Sequence, residues 1–346
     1  MSAVGFTTTV PVEIILAAGK RPVDLNNLFI GQNRPLEVLE EAERLGFPTQ
    51  TCSWIKGIYA VAQREGIRTI IAVDWGDCSN SRVLMELLEL AGMEILPFSY
   101  PADRDSRILR QQMERLMARW NIGWEEVNVV KDELDPLRRK LHRIDELTWR
   151  ANLVDGYHNH LFLVQSTDMR GGDPVGFEKE VDGYLAQLES AIPFQEEVRL
   201  GYIGVPPIWE GLHDYLEAFG ARIVYHEVQR QFSLPSISSA DLVERYRCYT
   251  YPYGIWGRVR DIQEEIAKRE IQGLIHYVQA FCFRQLEDII FRQCLGVPIL
   301  TVEGDKPICL DMRTKTRLEA FVELLRGRKD STTLLSAHQS PKETSQ

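Results

Sequence analysis

The sequence predicts an α/β protein made of two doubly wound, mainly parallel-sheet lobes joined by a helical connector. Three observations carry that prediction. Short apolar runs rich in β-branched residues alternate with amphipathic helical patterns in both the first and the last third of the chain, the signature of βα repeats. The stretch between them is helical almost throughout. A length of 346 residues exceeds what one hydrophobic core usually organises, so two lobes fit better than one.

In the first lobe, residues 1–103, VEIILA (12–17) reads as a strand, followed by a helix over about 35–46 and another after Cys52. TIIAVDW (69–75) reads as a strand, a helix follows Cys78, and MEILPFS (93–99) is the next strand. From Arg104 to about Ile192, heptad-like Leu and Met in SRILRQQMERLMARW and ELDPLRRKLHRIDELTWRANLVDG predict helices, so 104–195 is assigned as connector or cap. The alternation resumes in the second lobe, 196–326. There strands VRLGYIGV, ARIVYHE, GLIHYVQAF and VPILTVEGD interleave with helices WEGLHDYLEAFG, DIQEEIAKREI, one after Cys282, and TKTRLEAFVELL. Gly220 and Gly273 each follow a helical run, where a left-handed cap is expected. Residues 327–346 are polar and are expected to be disordered.

Hydrophobic residues at 44% and charged residues at 26% exclude extended disorder elsewhere. A formal net charge of −10, with no basic stripe carrying interleaved aromatics, argues against nucleic acid as a partner. No run approaches the roughly 20 apolar residues that span a bilayer, and the first residues lack a signal-peptide pattern. A cytoplasmic location without membrane contact is therefore expected. In a reducing compartment, six cysteines point to packing, metal binding or catalysis rather than to disulfides.

Cys52, Cys78 and Cys282 stand at junctions of strand, loop and helix, in QTCSWIKGIYA, VDWGDCSNSRVLMELL and HYVQAFCFRQLEDII. Ligands of open α/β sheets bind outside the carboxyl ends of the strands, and helix N-termini favour an anionic occupant there. Three thiolates around one such occupant suggest an iron–sulfur cluster bridging the lobes with a fourth iron open. The competing reading makes each cysteine a small buried hydrophobe. There is no CxxC pair, and the ferredoxin and zinc-ribbon spacings are absent.

Other constellations are weaker. Asp77-Cys78-Ser79-Asn80 also reads as a plain N-cap. In HYVQAFC, His276 reads as a satisfied core histidine and Gln279 as the ligand-facing residue. EGDK, Glu303 to Lys306, either brings acid and base groups to the carboxyl edge or caps a loop. His158 and His160 form a pair without a third ligand. Gly201 to Pro207 is not GxGxxG, and its prolines remove the amides that would cradle a pyrophosphate. Neither GxxxxGK[ST] nor GxSxG occurs, so ATP hydrolysis and serine-hydrolase chemistry have no support. Cys294 reads as core, Cys248 sits in an aromatic loop segment, and Cys309 follows EGDKPI closely enough to approach the crevice.

AAGKRPVDL, CSWIKGIY, GDCSNSR, GVPPIWEGLHDYLEAFGARIVYHE, GLIHYVQAFCFRQLED and PILTVEGDKPICLDMRTKTRLEAFVELL follow one another along nearly the whole chain. In that order they resemble the iron–sulfur subunits of 2-hydroxyacyl-CoA dehydratases and benzoyl-CoA reductases. The resemblance implies α/β lobes holding a [4Fe–4S] cluster on three cysteines, here Cys52, Cys78 and Cys282. Ser53 and Asn80 are then second-layer candidates, and Gln279 and Lys306 candidate substrate or catalytic contacts. It also implies a lyase that removes water from an acyl-CoA thioester by an oxygen-sensitive radical route, after an ATP-dependent activator iron–sulfur protein supplies one electron. The absence of a nucleotide motif fits ATP use by that partner, and a paralogous subunit or a second copy completes the assembly. Two alternatives stay open within the resemblance. One is a benzoyl-CoA-type or double-cubane-cluster reductase, whose extra thiolates would come from Cys248 or Cys309. The other is an electron-relay subunit without its own substrate site.

Overall fold

Strands form where short apolar runs are bounded by turn residues, and they assemble into two four-stranded, all-parallel sheets. The first contains β1 (Ala3–Phe6), β2 (Arg21–Asp24), β3 (Thr69–Trp75) and β4 (Glu94–Ser99), in the order β2-β1-β3-β4. The second contains β5 (Val198–Ile203), β6 (Ala221–His226), β7 (Gly273–Gln279) and β8 (Ile299–Gly304), in the order β6-β5-β7-β8. This computed structural model describes residues 1–195, 198–235 and 241–337. Both sheets repeat one topology, in which the chain steps to one side and then crosses over to the other. Each therefore has a switch point, between β1 and β3 and between β5 and β7. β6 and β7 are buried along their whole length, as helices on both faces of a parallel sheet require.

The α/β class and the paired parallel sheets match the sequence reading, and five differences have physical causes. VEIILA is not a strand: Val12–Ala17 is a helix, and the neighbouring strands are AVGF and RPVD. A six-residue apolar run has no decisive period. Here Pro11 precedes the helix, Val12 to Ile15 are buried, and Glu13 meets Arg138 of the long helix Trp124–Trp149 at 2.5 Å. Gly220 adopts the expected left-handed conformation (φ 67°), but Gly273 does not. The left-handed residue after helix Ile255–Arg269 is Glu270. Gly273 instead opens β7, where a Cβ would lie 2.6 Å from Leu325 Cδ1.

Helix Leu212–Ala218 starts later than the pattern WEGLHDYLEAFG suggests, after the left-handed Gly211. Two helices, Glu227–Phe232 and Leu242–Cys248, lie between β6 and helix Ile255–Arg269 where no element is expected. The last helix, Met312–Ala337, continues past Arg326 into the stretch expected to be disordered. Gly327 costs a helix interior only about 1 kcal/mol, and no proline follows before Pro341. The remainder of that tail, 338–346, lies outside the described residues. Among the described residues no helix is long and apolar enough to cross a membrane.

Two large cores tie the sheets together. One packs Val4, Phe6, Ile71 and Val73 against helices Ser106–Arg119 and Trp124–Trp149, and also takes in Tyr246 and Tyr249 from the second half of the chain. Another joins Phe29, Val38 and Ala60 to Leu200, Tyr202 and Ile275. The boundaries proposed near residues 103, 195 and 326 thus follow chain order, while the packing crosses them.

Candidate active site

The loops leaving β1, β3, β5 and β7 meet around one cavity of about 190 Å³. Thr7 to Thr9 come from the first, Asp77 and Cys78 from the second, Val205 and Pro206 from the third, and Phe281 and Cys282 from the fourth. Both switch points therefore open onto the same space, the position at which such sheets bind ligands. A bond crosses it: Trp54 Nε1 donates to Gln279 Oε1 at 3.1 Å, linking helix Ser53–Arg64 to the end of β7.

Cys52, Cys78 and Cys282 all line this cavity, whereas Cys248, Cys294 and Cys309 do not. Cys52 is the N-cap of helix Ser53–Arg64 but follows helix Pro35–Arg44 rather than a strand, Cys78 precedes helix Asn80–Leu90, and Cys282 caps the 3-10 turn Phe283–Leu286. Each sulfur thus sits near unpaired N–H groups that favour negative charge. The Asn80 backbone N–H donates to Cys78 Sγ at 3.2 Å, so Asn80 contributes through its main chain. Cys78 N in turn donates to Asp77 Oδ1 at 2.7 Å. Phe281, immediately before Cys282, is held at φ +65°, strain of the kind that accumulates at functional sites.

Burial pushes the Cys52 thiol up to about 12, against the pull of the Ile55 and Trp54 amides. Burial also raises Cys78, with Asp77 adding to the rise. For Cys282, burial raises the thiol while the Arg284 amide and guanidinium pull it back. These thiols stay neutral in a metal-free wall, and cation binding would release their protons. The three sulfurs do not gather within 4.8 Å of one another, so they form no single-ion site. Three thiols from two lobes around one cavity, with N–H groups beside them, are donors of the chemical type that a multi-iron cluster takes.

The other candidates divide. Gln279 lines the cavity, but its side chain is engaged: Oε1 accepts from Trp54 and from Tyr277 Oη (2.7 Å), and Nε2 donates to the Asp305 carbonyl (2.9 Å). Ser53 is fully buried with an unpartnered hydroxyl and does not line the cavity. Lys306 is exposed and also off the wall, because the EGDK loop turns it outward. His276 is a core residue, with Nδ1 2.8 Å from Asp288 Oδ1. Sequence reasoning missed Thr9, Asp24 and Tyr249. All three line the cavity, and the buried hydroxyls of Thr9 and Tyr249 lie beside each other with no other hydrogen-bond partner. Reading RPVD as a strand would have placed Asp24 at a carboxyl edge; assigning the strand to VEIILA hid that signal.

Buried acids flank the wall. Burial pushes Asp77 up to about 6 and Asp168 up to about 7, the charge of Asp24 adding to the latter. Asp24, itself raised by burial, donates its backbone N–H to Asp168 Oδ2 at 3.0 Å. Between the unfolded value of 3.8 and about 7, folded Asp168 holds a proton that the unfolded chain has released. Its contribution to stability is therefore complete at low pH and is lost as pH rises towards 7. In Asp168→Asn the melting temperature is expected to vary less with pH over that window. Parallel pH profiles for parent and variant in thermal melts would contradict this assignment.

A family model described as 2-hydroxyglutaryl-CoA dehydratase, D-component, matches residues 7–325. No curated protein matches the chain.

Proposed function

The chain belongs to the 2-hydroxyglutaryl-CoA dehydratase D-component family, and from that premise we propose that it is the iron–sulfur subunit of a 2-hydroxyacyl-CoA dehydratase. The reaction is elimination of water from an acyl-CoA thioester by a radical route, after one-electron activation by an ATP-hydrolysing iron–sulfur partner. The observation that carries the proposal is the convergence of Cys52, Cys78 and Cys282, from two lobes, on one cavity at two switch points. They would hold a [4Fe–4S] cluster, which when bound supplies one-electron chemistry and a Lewis-acidic iron with an exchangeable position.

The chain's own residues have separate tasks. Helix N-termini and the Asn80 amide balance the negative charge of the thiolates. The adjacent hydroxyls of Thr9 and Tyr249, which have no partner beyond each other, form a donor pair for an oxygen atom of the substrate. Asp24, a carboxyl whose pKa burial raises, lines the wall and is its acid–base candidate. Tyr249→Phe is therefore expected to lower kcat/KM about tenfold, the scale of one hydrogen bond, with an unchanged melting temperature. An unaltered kcat/KM would remove Tyr249 from the site.

The reductase alternative needs further thiolates, and Cys248 and Cys309 are exposed and off the cavity wall. The electron-relay alternative leaves the buried Thr9–Tyr249 hydroxyl pair on the cavity wall without a use. Exposed Trp75, Phe281, Phe283 and Leu286, at the end of β3 and after β7, support a docked protein at this edge. The proposed partners are the activator and a paralogous subunit or second copy, in the cytoplasm.

The test is anaerobic purification with iron and sulfide analysis, followed by assay of 2-hydroxyacyl-CoA thioesters with an activator and ATP. About four irons per chain and ATP-dependent dehydration support the proposal. About eight irons with a reduced product point to the reductase, and an iron-free protein ends the cluster reading.

A further inference from the structure

Beside the cavity lies a cluster that the proposed reaction does not use. His160 from helix Gly156–Gln165, His213 from helix Leu212–Ala218 and His226 at the end of β6 each bring one ring nitrogen within 4.8 Å of the others. Their ring centroids form a triangle with sides of 5.1, 5.6 and 5.2 Å. His213 and His226 are 5% and 0% exposed, and half-buried His160 lines the cavity wall.

Two features mark this as more than packed aromatics. His213 Nε2 and His226 Nε2 face each other at 3.0 Å. Two imidazole lone pairs repel at that separation unless a proton or a cation lies between them. In addition, Nδ1 of His160 is buried without a hydrogen-bond partner, a state that native interiors rarely leave unexplained. Three unrelated elements converge to make the cluster, so helical spacing alone does not account for it.

We infer that His160, His213 and His226 form a binding site for a divalent transition-metal ion of the Zn²⁺ class. Imidazole is the preferred donor for such ions. Three histidines leave a fourth position open, and His160 on the wall turns that position towards the cavity. The ion pins β6 to two helices and presents a Lewis-acidic contact for an oxygen atom of a molecule entering the cavity. This site does not depend on the iron–sulfur reading.

The test uses the full chain carrying Cys52→Ala, Cys78→Ala and Cys282→Ala, so that the cavity thiols cannot take the metal. Zn²⁺ is titrated by calorimetry and Co²⁺ by visible absorption, alongside His160→Ala, His213→Ala and His226→Gln, with circular dichroism melts to identify folded variants. His160→Ala alters the least buried member and keeps the test informative if the others fail to fold. One equivalent of Zn²⁺, a Co²⁺ spectrum of nitrogen ligation and at least about a hundredfold weaker binding in His160→Ala are expected. No binding to the folded chain, or binding unchanged in His160→Ala, overturns the inference. Iron analysis of the cysteine-intact protein is unaffected by either outcome.

Discussion

Replacing Cys52, Cys78 or Cys282 singly by alanine is expected to remove iron and sulfide from the anaerobically purified protein and to lower activity at least about 10²-fold. Residues that merely support metal ligands already cost 10- to 100-fold, so loss of a ligand should cost more. The fold should survive each change. These side chains are small and border a cavity, so truncation should cost about 1 kcal/mol, the centre of the mutational distribution. Cys248→Ala, Cys294→Ala and Cys309→Ala are the controls: none of these thiols lines the cavity, and each variant should keep its iron. Cavity variants that retain iron would return the three cysteines to the role of buried hydrophobes. Iron lost from Cys248→Ala or Cys309→Ala would revive the double-cubane alternative.

Arg258→Met should lower the unfolding free energy by about 3–5 kcal/mol, the cost of removing one partner of a buried ion pair. Arg258 is 1% exposed and Glu227 is 0% exposed. The guanidinium holds both Glu227 oxygens, at 2.6 and 2.8 Å, and also binds Glu287. Burial alone would push Glu227 up, but Arg258 holds its carboxyl below the usual range. Without Arg258, a buried carboxylate is left with the Gly204 amide at 2.9 Å. Gly204 has no latitude to adjust: its φ is +104°, and a Cβ there would lie 2.4 Å from the Tyr277 carbonyl oxygen. The damage should reach the site as well, because Glu287 also anchors Arg284, two residues beyond Cys282. Denaturant melts measure the loss, and Arg258→Met with Glu227→Leu should recover most of it by removing both charges. A single variant within 1 kcal/mol of the parent would show that water or rearrangement satisfies Glu227.

The legible parts of the fold were those with enough length for a period to show. TIIAVDW matches β3, and the runs from Val198 to Gly304 contain β5 to β8. The short VEIILA run was ambiguous, and burial against helix Trp124–Trp149 decided it as a helix. Helices Glu227–Phe232 and Leu242–Cys248 escaped notice because they are only one to two turns long. In the site, strand-to-helix junctions identified Cys78 and Cys282, whereas Cys52 was found only by the helix it opens, since a helix and not a strand precedes it. Lys306 satisfied the same junction rule yet points outward, because that rule locates a loop but not the direction of a side chain.

The sequence by itself determined the α/β class, the family, and that Cys78 and Cys282 follow strands, because each depends on local pattern and order along the chain. Only the tertiary structure decided that Cys52 and Cys78 share a cavity with Cys282, that the hydroxyls of Thr9 and Tyr249 meet on its wall, and that His160 meets His213 and His226. Those meetings join residues far apart in the chain. They arise from the packing of two parallel sheets across shared cores, and no local periodicity encodes them.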